Sequence, residues 1–455
     1  MNLNSIHTIY FVGIGGIGMS ALARYFNRRG IAVFGYDKTK TLLTRKLEAE
    51  GMTIHYEDNV KLIPKNIDLV VFTPAIPSDH QELNYFLTND YPVKKRAEVL
   101  GMISRNQKTV AVAGTHGKTT TTTIVTHLLR EGGIDCTAFL GGIAQNFESN
   151  YVHGKSDWVV VEADEYDRSF LQLDPDIAII LSMDADHLDI YGNQDAVKKS
   201  FRAFAEKIKE GGQLILNNGW TKEISKENFS VRKRKLKSYG LEKGEYRSKN
   251  IRVENGFFVF DFESEWGEIS NILFTLPGHH NVENASAAIA VAQQLGISGK
   301  DIKKALASFK GIKRRFETIY RDEKVVYIDD YAHHPSELNA AIDAAKTLFP
   351  ERKITGVFQP HLYSRTRDFV NGFASALDLL DEVILMDIYP AREEPIAGVS
   401  AAIIFEKMKN PNKVLISKKQ LLQVLDNKEI DVLLTMGAGD IDTFIEPIKE
   451  KIAHG

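Results

Sequence analysis

Short apolar runs alternate with stretches whose apolar positions recur at helical spacing, and this order holds through most of the chain. Such strand–helix alternation predicts an α/β protein built on mostly parallel sheets. An apolar run at 9–12 is followed by Gly13-Ile-Gly-Gly-Ile-Gly18 and a helical stretch from Ser20 that stops at Gly30. A second run, 31–36, ends at Asp37, and a third, 68–72, leads into Thr73-Pro-Ala-Ile-Pro-Ser78. Strand, glycine-rich turn, helix, strand and acidic residue predict a Rossmann-like first domain over residues 1–106. The next domain, 107–313, opens with a β-rich run at 109–113, then Gly114-Thr-His-Gly-Lys-Thr119 and a threonine-rich helix that ends by Gly132-Gly133. Strands are predicted at 158–161 and 177–181. From 212 to 276 the residues alternate between turn signals, as in Phe257-Phe-Val-Phe-Asp-Phe262, which predicts antiparallel strands appended to the parallel core. A third domain, 314–455, has strands at 325–328, 354–358, 383–386 and 432–434, each followed by a polar or glycine-rich loop. Ligands of open α/β sheets gather outside the carboxyl ends of strands, so these loops are candidate site residues.

Composition narrows the function classes. The 57 Lys+Arg and 60 Asp+Glu give a net charge of −3, which argues against broad nucleic-acid binding. Cys136 is the only cysteine, so an intrachain disulfide and a cysteine metal cluster are both excluded. No apolar run approaches the ~18 residues of a membrane span. The N-terminus lacks the basic region of a signal peptide. The expectation is a cytoplasmic protein with no membrane insertion, a monomer or weak homodimer.

The strongest local signal is Gly114-Thr-His-Gly117-Lys118-Thr119. A glycine turn between strand and helix frees backbone N–H groups to cradle phosphate at the positive helix end. Lys118 would reach the β/γ-phosphates and the Thr119 hydroxyl would coordinate Mg²⁺. Val112 stands where the general Walker pattern has its first glycine; the alternative is a plain strand–helix turn with an exposed lysine. Glu162 ends one strand and His187 follows another; if these strands flank the loop, both side chains face the nucleotide's metal. Asp164, Glu165 and Asp167 read as helix caps or substrate contacts. The turn from Gly13 to Gly18, with Asp37 nineteen residues on (37 − 18 = 19), fits a dinucleotide fingerprint but accepts any diphosphate, a UDP-sugar included. By spacing alone, Asn281 and Asn284 are caps of an alanine-rich helix. Arg314-Arg315-Phe316 lies at a domain boundary. Asp329-Asp-Tyr-Ala-His-His-Pro335 and His361-Leu-Tyr-Ser-Arg-Thr-Arg367 each follow a strand, which favours an anionic or amino-acid ligand.

Together these segments resemble the Mur ligase family, the ATP-dependent amino-acid ligases of bacterial cell-wall synthesis. The resemblance runs through 13–20, 114–122, 162–170, 186–191, 280–284, 314–316, 329–335, 358–367, 387–396 and 437–441. The family's shorter G-T-x-G-K-T loop removes the misfit at Val112. The resemblance implies the three-domain Mur ligase architecture: a Rossmann-like N-terminal domain, a central P-loop ATPase-like domain and a Rossmann-like C-terminal α/β domain. It implies transfer of a phosphoryl group from ATP to the lactyl carboxylate of UDP-N-acetylmuramate, then attack by L-alanine.

Carried over by position, Gly13, Gly15, Gly16, Gly18, Asp37, Thr73 and Ala75 would bind the UDP substrate. Gly114, Thr115, His116, Gly117, Lys118, Thr119 and Thr120 would bind ATP, with His280, Asn281 and Asn284 near the adenine. Arg315 and Asp330 would reach ATP from the third domain. Thr119, Glu162 and His187 would hold Mg²⁺. Tyr331, His333, His361 and Arg365 would line the amino-acid end, and Lys118, Glu162, His187, Arg315 and His333 form the catalytic set. Leu362 replaces a common arginine, Ala332 a common glycine and Tyr166 a common serine. The competing readings are a ligase that attaches a whole peptide to the same sugar nucleotide, an NAD-dependent oxidoreductase resting on the first fingerprint alone, and a non-catalytic nucleotide-binding module.

Overall fold

The computed structural model describes residues 3–184, 188–224, 234–391 and 393–454, so His187 lies outside the described residues. Its first sheet has five strands, β1 (Thr8–Val12), β2 (Ala32–Tyr36), β3 (Thr53–His55), β4 (Leu69–Phe72) and β5 (Val93–Lys95), in the order β3-β2-β1-β4-β5. Every pairing in it is parallel, as the Rossmann-like pattern predicts. The helix after β1 spans Ile17–Asn27, three residues earlier than its apolar periodicity suggests, so Gly18 lies inside its first turn. β3 and β5 carry too few apolar residues to stand out in the sequence.

The second sheet contains β6 (Lys108–Ala113), β7 (Thr137–Ala144), β8 (Ser149–Val152), β9 (Trp158–Glu162), β10 (Ile177–Ile180), β11 (Gln213–Asn217), β12 (Lys235–Leu241), β13 (Tyr246–Glu254), β14 (Phe257–Ser264) and β15 (Gly267–Phe274). Their order is β15-β14-β13-β12-β11-β10-β6-β9-β7-β8. The expectation of antiparallel strands over 212–276 fails for its first part: β10–β11, β11–β12 and β12–β13 pair parallel. Alternation reports that one strand face meets solvent; it carries no information on direction, which the connections decide. The helix Gln194–Glu206 returns the chain between β10 and β11, as a parallel crossover needs.

The third sheet comprises β16 (Glu317–Arg321), β17 (Val326–Asp330), β18 (Ile354–Phe358), β19 (Glu382–Met386), β20 (Lys413–Ile416) and β21 (Val432–Met436), ordered β16-β17-β21-β18-β19-β20. Only the edge pair β16–β17 is antiparallel. β18, β19 and β21 are buried along their whole length, the signature of strands covered on both faces.

The chain folds into two compact units, Met1–Asn250 with Phe260–Ile272 and Glu283–Phe309, and Ile251–Val259 with Leu273–Val282 and Lys310–Gly455. The first sheet and the second from β6 to β12 therefore share one unit, and one apolar core runs through both, from Ile9 and Phe11 to Phe201 and Leu216. Tyr25 of the helix Ile17–Asn27 lies 5.5 Å from Phe139 and 6.4 Å from Tyr151, centroid to centroid. Arg24 donates to the Asn150 side-chain oxygen, and Asn150 Nδ2 donates to Ser20 Oγ at 2.9 Å. Each aromatic pair adds about 0.5–1.5 kcal/mol beyond the area it buries. This seam fixes the helix after the first glycine turn against β7 and β8 of the second sheet.

Candidate active site

β6 ends in the loop that starts at Gly114 (φ +145°) and closes at Gly117 (φ +81°), where the helix Lys118–Glu131 begins. Glycine is required at both. A Cβ on Gly114 would lie 2.8 Å from Leu181 Cβ, and one on Gly117 would lie 2.6 Å from Asn284 Oδ1. Gly117 caps the helix without a side chain, so the first-turn N–H groups face the loop, the arrangement that accepts an anion. Lys118 folds over this loop. Its Nζ donates to Gly114 O at 2.8 Å, to Thr115 O at 3.3 Å and to Glu165 Oε1 at 2.9 Å. Burial works against its charge, but Glu165, Asp164 and Glu162 together hold the ammonium above its ordinary value. Glu165 is 2% exposed, and burial pushes its carboxyl up to about 7 despite the lysine.

Glu162 is the last residue of β9 and pairs in register with Val112 of β6, so its carboxylate stands beside the strand that feeds the loop. It accepts the Gly141 N–H at 3.1 Å. Among the described residues no group of three or more His, Cys, Asp or Glu side chains is placed to hold a metal ion. The acidic segment after Glu162 divides its labour. Asp164 accepts the Tyr166 N–H at 3.1 Å and faces Arg96 at 3.7 Å, while Asp167 pairs with Lys95 at 3.0 Å. Glu165 makes no capping bond, contrary to the cap reading; its side chain goes to Lys118. Asn281 and Asn284 are likewise not caps, because the helix starts before them and spans His279–Gln294. Asn284 packs on Gly117, Asn281 Nδ2 donates to Pro277 O at 2.6 Å, and His280 is exposed.

Beside the first glycine turn, between the first and second sheets, lies a cleft of about 310 Å³. Gly16, Gly18, Thr73 and Ala75 line it from the first sheet, Phe139, Gly141, Glu162 and Asp164 from the second, and Arg96 reaches in between. Gly18 leaves room for Arg96, whose Nη1 would be 2.8 Å from an added Cβ. Asp37 faces its own turn: it accepts the Gly15 N–H at 2.7 Å and the Thr39 N–H at 3.1 Å. Arg96 and Gly141 escaped sequence reasoning, since neither belongs to a spaced motif.

In the second unit the carboxyl ends of β17 and β18 carry the predicted clusters. Arg314 (φ +62°) and Phe316 (φ +49°) flank Arg315 in left-handed backbone. Asp330 holds that turn, accepting the Phe316 and Ala332 N–H groups at 2.7 Å each, and burial pushes its carboxyl up to about 7. The Arg315 guanidinium lies 5.2 Å from the Tyr331 ring centroid. Arg314 turns inward to Asp329, 3.0 Å away and fully buried. His333 sits 6.1 Å from His361, ring to ring, and burial lowers its proton affinity. Arg365 lies 3.4 Å from His361 Nδ1, so Tyr331, His333, His361 and Arg365 form one continuous cluster.

The chain's likeness to known proteins matches this geometry. The family model described as Mur ligase family, catalytic domain, covers residues 8–108; the Mur ligase middle domain covers 112–292; and the Mur ligase, glutamate ligase domain, covers 314–439. UDP-N-acetylmuramate–L-alanine ligase of Flavobacterium psychrophilum is 50% identical over 456 residues, spanning 99% of each chain. That of Cytophaga hutchinsonii is 49% identical over 460 residues, spanning 99% of this chain and 97% of its own. The crystal structure of UDP-N-acetylmuramate–alanine ligase from Thermotoga maritima superposes with a TM-score of 0.84 at 30% identity, covering 98% of this chain and 99% of that one. A murein peptide ligase from Psychrobacter arcticus shares the fold at a TM-score of 0.71 and 24% identity. With three family models in chain order and relatives matched from end to end, the chain belongs to the Mur ligase family.

Proposed function

We propose that this protein joins L-alanine to the lactyl carboxylate of UDP-N-acetylmuramate at the expense of ATP, releasing UDP-N-acetylmuramoyl-L-alanine, ADP and phosphate. The observation that carries this reading is the end-to-end likeness to L-alanine ligases at about 50% identity, together with a phosphate-type loop and a terminal strand carboxylate on adjacent strands. In this reading the reaction is one of cytoplasmic cell-wall precursor synthesis. No helix among the described residues is long and apolar enough to cross a membrane.

A carboxylate is a poor acyl donor because its oxygen leaves badly. Transfer of the γ-phosphoryl group to that oxygen gives an acyl phosphate, and the deprotonated amine of L-alanine then attacks the carbonyl and expels phosphate. The residues divide this work. Gly114–Thr120 fit a triphosphate: the two glycines let the loop approach closely, and Lys118 supplies the charge that the transferring group needs. Thr119 and Glu162 suit Mg²⁺, which takes one or two protein oxygens and fills its remaining positions from phosphate and water. The bound metal would neutralise charge on the phosphates; His187 is assigned to it by resemblance. The cleft holding Gly16, Gly18, Thr73 and Ala75 is assigned to the sugar nucleotide, together with Gly13, Gly15 and Asp37. By the same resemblance His280, Asn281 and Asn284 belong to the adenine end, Arg315 and Asp330 to ATP, and Tyr331, His333, His361 and Arg365 to the amino acid.

Phosphate release from the purified protein with ATP, Mg²⁺ and UDP-N-acetylmuramate tests the reading, with L-alanine, glycine, L-serine or the cell-wall tripeptide as acceptor. Release that needs the sugar nucleotide and favours L-alanine is expected. Preference for the tripeptide would reassign the chain to peptide recycling, and no release from folded protein would leave a nucleotide-binding module.

A further inference from the structure

Lys118 has three N–H donors, and in this structure all three are met by the protein itself: Gly114 O, Thr115 O and the Glu165 carboxylate. Of these partners only Glu165 is an ionisable side chain, and both its oxygens lie within 2.9 Å of Nζ. A phosphate on the loop needs the same ammonium. Since no donor is left over, lysine and phosphate meet only if one existing bond is given up.

Glu165 cannot follow the lysine. Its backbone carbonyl accepts the Tyr191 hydroxyl at 2.6 Å. Asp164 on one side is held to Arg96 and the Tyr166 N–H, and Asp167 on the other is paired with Lys95. Asp167 and Arg168 lie in left-handed backbone at φ +51° and +54°, so the segment is stiff as well as anchored. The lysine, with four rotatable bonds, is the partner that moves.

We propose that Glu165 is a positioning residue that competes with the nucleotide for Lys118, so that ATP binding is a handover of the ammonium from carboxylate to phosphate. The inference rests on the reading that Lys118 holds the phosphates. Glu165 thereby sets nucleotide affinity downward and keeps Lys118 charged and aimed at the loop. A carboxylate holds an ammonium by charge as well as by hydrogen bond, whereas a neutral amide lacks the opposite charge. Glu165→Gln keeps the shape and an acceptor but lowers the cost of handover.

The experiment is calorimetric titration of the full-length protein with a non-hydrolysable ATP analogue and Mg²⁺, on wild type, Glu165→Gln, Glu165→Asp, Asp164→Asn and Lys118→Met. Glu165→Gln is expected to tighten binding roughly tenfold. Glu165→Asp, one methylene short, should tighten it by less. Asp164→Asn removes a charge that acts on Lys118 only through space and keeps an acceptor for the Tyr166 N–H, and should change affinity less than threefold. A merely structural Glu165 would weaken binding on substitution, so the direction of the change decides. Unchanged or weaker binding in folded Glu165→Gln overturns the handover, and equal tightening in Asp164→Asn reduces it to a general field effect. If Glu165→Gln does not fold, Glu165→Asp decides alone by the same sign. Wild-type affinity in Lys118→Met would instead overturn the phosphate reading of Lys118 itself.

Discussion

Gly141→Ala is a sharp test of where Glu162 must stand. Gly141 lies in β7 with ordinary backbone angles, so alanine fits the chain there. Its Cβ, however, would fall 2.2 Å from Glu162 Oε2 and 2.5 Å from Cδ. Ordinary contact begins near 3.4 Å, so the carboxylate must retreat by about 1.2 Å (3.4 − 2.2), losing the 3.1 Å bond from the Gly141 N–H as it goes. The obstacle is the far end of a flexible side chain, so folding costs little, and the reduced freedom of the unfolded chain returns about 0.4–1 kcal/mol. Catalysis is less tolerant: a 1 Å misplacement costs on the order of 10²-fold in rate. The expected result is a turnover number down about 10²-fold and a raised Mg²⁺ requirement, with a melting temperature within about 2 °C of wild type. Phosphate release across a Mg²⁺ titration and a thermal melt supply both numbers. Adding Glu162→Asp, which shortens the displaced side chain, should recover part of the loss. Turnover within threefold of wild type would refute the argument that Glu162's position matters.

Arg315→Ala is expected to lower the turnover number by 10²–10³-fold, the usual effect of removing one donor to a developing charge, with the circular dichroism spectrum unchanged; an unaltered turnover number would remove Arg315 from the chemistry. Asp329→Asn breaks a pair in which the carboxylate is fully buried and leaves Arg314 only the more exposed Asp442, 3.7 Å away, as counter-charge, so stability should fall toward the lower end of about 3–5 kcal/mol in urea unfolding, and an unmoved midpoint would count against it. His127, buried between the helices Lys118–Glu131 and Gly299–Ala307, bonds Ala305 O at 2.9 Å, and burial holds its proton affinity below the ordinary value. The unfolded chain therefore takes up a proton first as pH falls through about 6.5, so stability present above that pH is lost below it. Chemical denaturation at pH 7.5 and 5.5 should show this slope in wild type and a shallower one in His127→Gln; equal slopes would refute the assignment.

What could be read in the sequence follows from what is local in a polypeptide. The glycine turns at 13–18 and 114–117 were legible because a backbone at φ +81° or +145° excludes side chains, and that demand is written in residue type. The strands β1, β2, β4, β6, β9, β10, β17, β18, β19 and β21 were legible because strands buried on both faces must be apolar throughout. Short edge strands such as β3 and β5, with lysine and histidine at their ends, left no such mark. The direction of β11, β12 and β13 was not legible because alternation encodes exposure alone. The asparagines of the helix His279–Gln294 were misread as caps because asparagine favours caps in general, and only packing against Gly117 distinguishes Asn284.

Lys118 and Glu162 could thus be named from motif and strand end, as could the clusters after β17 and β18. Their partners could not. Glu165 lies 47 residues from Lys118, Arg96 lies 68 from Asp164, and the room for Glu162 is made by Gly141 on a neighbouring strand. Residue types and periodicity determined which chemistry the chain carries and the architecture that could bear it. Tertiary structure alone decided which charges neutralise one another and how closely two backbones approach, because those energies depend on distances between segments that no single stretch of sequence contains.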